Sequence, residues 1–250
     1  MPNRQAPDIP AVEHAVSVLA NTMRRYIEAF YQLGTLFDVD REEAITNLDR
    51  AFEAKLNAFH SLYDVSRTLF PYFDHGDTAT LIAVRNALHH HDNPLFHSML
   101  ARLHLEEGLA RWEGAAFLIA SYATRHGAPV MASHAIRLDD LDARLNPALR
   151  SPYFDAFTSQ ARAQARFDMI DRDLSLGVIR QQAMEERYPA KQVYLDIMPV
   201  FVSAVCRVFK ALAAAGVRFI GDDAQTYLRP FTTEFDVDLQ AVTFKMIRIG

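Results

Sequence analysis

The segment Arg85-Asn86-Ala87-Leu88-His89-His90-His91-Asp92 gathers a guanidinium, an amide, three imidazoles and a carboxylate into one short run. Read as a helix, it sets Arg85 and His89 four apart on one face, while His90, five on from Arg85, shares part of that face. Val84 and Leu88 already supply the inward contacts here, which leaves the polar strip to bind a partner or line a cleft. Imidazoles that titrate near ~6.5 suit two chemistries, proton transfer and metal ligation. The metal version would draw on His89, His90, His91, Asp92 and His97, joined by His60, His75 or His104 from neighbouring helices. Consecutive helical positions point about 100° apart, so at most two of the triplet can share one ion. There is no His-Glu-x-x-His pattern, and Glu106 and Glu107 beside His104 do not close a site. No metal or cofactor is therefore assigned.

Arg85, Asn86 and His90 form an Arg, a polar residue and a His after four intervening positions, and His91 satisfies the version with five. In this the sequence resembles the HEPN superfamily of helical domains, over roughly residues 11 to 125. The resemblance implies metal-independent RNA cleavage, or RNA or nucleotide binding without cleavage, at a homodimer interface where two copies of the motif face each other. It assigns Arg85, Asn86 and His90 as the site. His90 would take the proton of a ribose 2′-hydroxyl or supply one to the departing 5′-oxygen. Arg85 would hold the phosphate oxygens through its fork of donors, and Asn86 would orient the histidine or the phosphate. The implied partners are RNA and, in a toxin–antitoxin or phage-defence setting, a separate antitoxin chain. The Gly-Ser plus paired-Asp signature of the nucleotidyltransferase that often accompanies HEPN domains is not in this chain.

Charge limits the kind of RNA contact. With 26 basic against 31 acidic residues, the net charge is −5 with the ten histidines neutral. Coating a duplex draws much of its affinity from counterions released by clustered Lys and Arg, so that mode is disfavoured, whereas a pocket for one phosphodiester needs only a few converging groups. The Arg162 and Arg166 pair, spaced four apart, reads as a solvated helix face. Glycine-rich phosphate loops, Gly-x-Ser-x-Gly elbows and Cys-x-x-Cys pairs do not occur, which argues against nucleotide hydrolysis, serine hydrolysis and dithiol chemistry. Cys206 is the sole cysteine and sits beside Val205 and Val208, as expected of a packed, inert thiol in a reducing compartment.

The elements that must position the motif are helical. Val12, Val16, Leu19, Met23, Ile27, Phe30 and Leu33 recur at spacings of three and four from Ala11 to about Phe37. Asp40 and Glu43 resemble a capping box that opens a second run through Ala44, Leu48, Phe52, Leu56 and Phe59. The link between them is short, so the two long helices must lie antiparallel. A third helix begins near Ala79 and ends before Pro94. A fourth is expected from Leu103 to Arg125, carrying Trp112, then a small one at Leu138 to Leu145, and others at Tyr153 to Gly177, Val178 to Tyr188 and Ala190 to Ala215 with Gly216 just beyond the last. Val217 to Ile220 and Val242 to Ile249 favour β structure and suggest one small two-stranded element near the C-terminus.

The expected fold class is accordingly all-α. Residues 1-10 form a disordered lead-in, 11-126 a HEPN-like bundle, 127-152 an irregular excursion, and 153-250 a C-terminal helical region packed on the first. The apolar stretch Ile197 to Cys206 falls short of the ~20 residues a bilayer requires, and the N-terminus lacks the apolar core of a secretory signal. A cytoplasmic protein with no membrane partner is expected. Two other functions compete: a non-catalytic helical dimerisation or scaffold protein anchored by some of its 17 Phe and 9 Tyr, and a His-rich metal-binding protein.

Overall fold

The computed structural model describes residues 7–89, 94–154 and 159–250. Helix α1 (Ile9–Phe37) starts at the N-cap Asp8, whose carboxylate accepts from Ala11 N at 3.3 Å. Helix α2 (Arg41–Ser66) starts at Asp40, which accepts from Glu43 N at 2.9 Å. The three-residue link folds them into a hairpin, and both apolar faces expected from periodicity are buried: Val12, Val16, Leu19 and Met23 on α1, and Ala44, Leu48, Phe52, Leu56 and Phe59 on α2. Helix α3 (Gly76–His89) packs against α2. It begins at Gly76, where a Cβ would come within 2.6 Å of Asp173 Cβ, so this close approach of two segments requires glycine.

The expected fourth helix is not one. The chain makes a single helical turn, α4 (Met99–Ala101), a wider turn over Arg102–Glu106 and a tight turn over Leu109–Trp112, then enters strand β1 (Ala116–His126). Strand β2 (Ala135–Arg137) follows, then helix α5 (Leu138–Leu145) as expected, and helices α6 (Gln160–Asp173) and α7 (Leu176–Glu185). The last long apolar segment is also divided. Strand β3 (Val193–Asp196) precedes helix α8 (Ile197–Ala214), and Gly216, at φ +80°, terminates α8 as its sequence position suggested. Helix α9 (Asp222–Arg229) and strand β4 (Asp236–Arg248) complete the described elements.

These four strands form a mixed sheet in the order β2-β3-β1-β4. β1 runs parallel to β3, with Leu118 opposite Val193, and antiparallel to β4, with Ala116 opposite Arg248. The all-α expectation is thus corrected: two long packed helices dominate, but a four-stranded sheet stands where a helix and a small hairpin were expected. The cause is the burial of β1. As an inner strand it buries Leu118, Ala120 and Tyr122 on one face and Phe117 on the other, with Ile119 half-buried beside it, so Ala116 to Ala123 is apolar at every position but Ser121 and its sequence lacks the alternation that marks a half-buried strand. Val217 to Ile220 forms no strand. Phe219 instead sets its ring edge-on to Phe209, centroids 4.9 Å apart.

Helix α8 has the length and apolarity of a bilayer-spanning segment, with mean hydropathy 1.8, and 72% of it is buried inside the fold. It runs through the main core, which draws side chains from Val12 on α1 to Leu239 on β4 and so spans the chain nearly from end to end.

Candidate functional site

Asn57, His60 and Asp64 stand three and four apart along the edge of α2, flanking the buried stripe of Leu56, Phe59 and Leu62. Across from them α3 buries Val84 and Ala87, which turns Arg85, Leu88 and His89 toward the seam between the helices. The Arg85 guanidinium bridges the seam, its Nε donating to Asn57 Oδ1 at 2.9 Å. Its Nη1 donates to Asn86 Oδ1 at 3.3 Å. The resulting groove, about 110 Å³, is lined by Glu53, Leu56, Asn57, Arg85, Leu88 and His89.

His60 lies beside this groove with its Nδ1 3.2 Å from Asp64 Oδ2. Burial lowers its pKa from the ordinary histidine value, the positive charge of Arg85 lowers it further, and Asp64 opposes both. A neutral imidazole that donates Nδ1–H to a carboxylate keeps its lone pair on Nε2, which is the form of a general base. The arrangement sets a cation, an acid–base group and an orienting carboxylate along one seam.

Of the residues assigned from the motif, Arg85 is in the groove. Asn86 accepts from Arg85 but lines the other side of α3, in a small pocket shared with Phe73, Arg144 and Arg166. His90 lies outside the described residues, as do His91 and Asp92. Arg166 rests over the Phe73 ring at 4.5 Å, so its role is packing as well as solvation. The histidines considered together as metal ligands have separate partners: His75 stacks on Phe70, His97 pairs with Glu106, and His104 meets Phe37 edge-on. Among the described residues no group of three or more His, Cys, Asp or Glu could hold a metal ion. Cys206 is buried, and burial pushes its thiol up to about 12, as an inert packed cysteine requires.

Two sites had no local motif to reveal them. The larger is a polar cleft of about 480 Å³ around Asp77, which is 1% exposed and accepts from Ser203 Oγ at 2.8 Å and Arg207 Nε at 3.2 Å. Its arginines are already matched, Arg125 to Asp238 at 2.7 Å and Arg172 to Asp173 at 2.8 Å. Asp74 and Asp236 add further negative charge to the wall, which disfavours a phosphate. The smaller site is an apolar cavity walled in part by Lys55. Lys55 occupies the stripe position between Phe52 and Leu56, and a charged residue at that phase of the helix was the one sequence signal of a buried amine.

The fold and its seam define an α+β protein whose helical hairpin sets a His–Asp pair against an arginine from the next helix. No family model matches the chain, and no curated protein or solved structure is similar enough to identify a relative.

Proposed function

We propose that this protein is a metal-independent endoribonuclease that acts on one phosphodiester at the α2–α3 seam. The observation that carries the reading is the placement of Arg85 beside His60, itself paired with Asp64. Cleavage by the ribose 2′-hydroxyl needs two proton transfers and stabilisation of charge on the phosphate. The 2′-oxygen bonds to phosphorus as its proton passes to a base, and the 5′-oxygen departs with a proton from an acid. This leaves a 2′,3′-cyclic phosphate and a 5′-hydroxyl. Arg85 holds the phosphate oxygens, and Asn86, bonded to that guanidinium, fixes its orientation. His60 and His90 supply the base and the acid. His90 and the homodimeric assembly come from the HEPN resemblance, as do RNA as substrate and an antitoxin as a separate regulatory chain.

The test is cleavage of labelled single-stranded RNAs and tRNA in excess EDTA by wild type, Arg85→Ala, His60→Ala and His90→Ala. Cyclic-phosphate ends that depend on Arg85 and on at least one of the two histidines are expected. Equal cleavage by all four proteins, or none by any, would overturn the proposal and leave a binding or scaffold role.

A further inference from the structure

The apolar cavity lies on the opposite side of α2 from the seam. It is enclosed by α1, α2, the segment between β1 and β2, the start of α8, and the region from α9 to the start of β4. Its volume is about 190 Å³, whereas a cavity of about 150 Å³ already admits benzene. A ligand somewhat larger than a single aromatic ring fits. Tyr31 and Met131, 73% and 71% exposed, belong to the same wall and mark its way in from solvent. Lys55 is the only amine in that wall, and it is 1% exposed.

Two influences oppose each other at this amine: ring faces attract its ammonium form, while burial without a salt-bridged carboxylate favours the uncharged one. Its Nζ lies 3.7 Å from the Tyr26 ring centroid, 4.3 Å from Phe201 and 4.8 Å from Phe52, and donates to Met198 Sδ at 2.7 Å. No carboxylate forms a salt bridge with it among the described residues. The nearest titrating groups are Asp196, His134 and Tyr26. Asp196 Oδ1 is engaged by the backbone N–H groups of His134 and Met198, and the Tyr26 hydroxyl donates to Ser133 O. Burial carries the Lys55 pKa well below the usual lysine range, with Asp196 opposing. A desolvated lysine of this kind is a nucleophile through its lone pair. A carboxylate ligand would instead need the charged amine, in a chamber whose other polar groups are tyrosine hydroxyls.

We propose that this cavity captures a small apolar aldehyde and that the Lys55 amine condenses with it to an imine. The nitrogen lone pair forms a bond to the carbonyl carbon, the carbonyl oxygen is protonated and leaves as water, and the nitrogen gives up its protons to complete the C=N bond. Amine plus aldehyde yields imine plus water, with no oxidant or reductant. Tyr26, Phe201 and Met198 hold the apolar body of the ligand.

The test is reductive trapping on the full-length protein with hexanal and cyanoborohydride at pH 6.5, followed by peptide mass mapping. The chain has four lysines, and Lys191, Lys210 and Lys245 are all exposed, so the comparison is internal to one molecule. Each unit of pKa lowering raises the free-amine fraction about tenfold, and the hexyl adduct is expected at Lys55 by at least that factor over each other lysine. Hexanol should compete with it. Ile27→Trp, which fills the cavity without altering the amine, should abolish the preference while circular dichroism reports a folded chain. Labelling spread evenly over the lysines, absent from Lys55, or unchanged in Ile27→Trp would overturn the proposal.

Discussion

Phe52 and His134 stack face to face, their ring centroids 3.7 Å apart and their planes 12° from parallel. His134 is 4% exposed and its Nδ1 has no hydrogen-bond partner, so the imidazole is held as a flat apolar plate. Burial keeps its pKa well below the ordinary histidine value. The unfolded chain therefore takes up a proton as pH falls below ~6.5 while the native protein does not, and stability drops with acidification in that window. His134→Phe retains the stack and removes the titration. Urea midpoints of wild type and variant should diverge between about pH 6.5 and 4.5, the variant losing less. Parallel pH dependences would contradict the assignment.

At the seam, Arg85 and Asp64 act on His60 in opposite directions. Asp64→Asn removes the charge that raises the imidazole pKa, so the pKa should fall further. Arg85→Gln removes a charge that lowers it, so the pKa should rise. Proton NMR titration of the His60 ring reads both shifts whether or not the protein cuts RNA. If His60 is the base, the acidic limb of the cleavage profile must move with them. Identical titrations in both variants would place Arg85 and Asp64 too far away to act on His60.

Lys55 destabilises the fold at neutral pH by the same linkage. Its pKa is lowered in the native state, so the unfolded chain binds the extra proton and stability rises with pH toward the usual lysine value near ~10.4. Lys55→Met, close in length and apolar, should raise the urea midpoint at pH 7 by a margin that shrinks as pH approaches 10. A gain of about 1–3 kcal/mol is expected, because holding the amine without its proton costs about 1.4 kcal/mol per unit of pKa lowering and the apolar chain avoids that cost. A loss at pH 7 would mean that the ammonium is stabilised by its rings and not merely tolerated.

Asp140 ties down the chain after α3. Its Oδ2 accepts from Phe96 N at 2.9 Å and from Arg102 Nη2 at 2.9 Å, and both Asp140 and Arg102 are buried. Phe96 takes φ +65°, a left-handed conformation that a phenylalanine seldom adopts without such support. Asp140→Ala frees the strained turn and leaves the guanidinium with Pro94 O at 3.1 Å and Glu106 at 3.7 Å, and should cost about 1–3 kcal/mol. A change below about 1 kcal/mol in the urea midpoint would show that the turn is held by packing alone.

By itself the sequence determined the helical hairpin and the phase of α3. A helix face is written in spacings of three and four, and Val12 to Met23, Leu48 to Phe59 and Val84 lie where that rule puts them, whereas Leu88, expected inward, is half-buried and lines the groove. The same rule set Arg85 on a polar edge. It carried no information about β1, because a strand covered on both faces has no alternation to read, and no information about where the helix edge would meet its neighbours. Only the tertiary packing brought His60 to Arg85, 25 positions away in sequence, and Ser203 to Asp77, 126 away. Only closure of α1, α8 and the region from α9 to β4 around α2 made Lys55 a buried amine and not a solvated one. These are long-range events, decided by which faces exclude water together and not by any residue's neighbours in the chain.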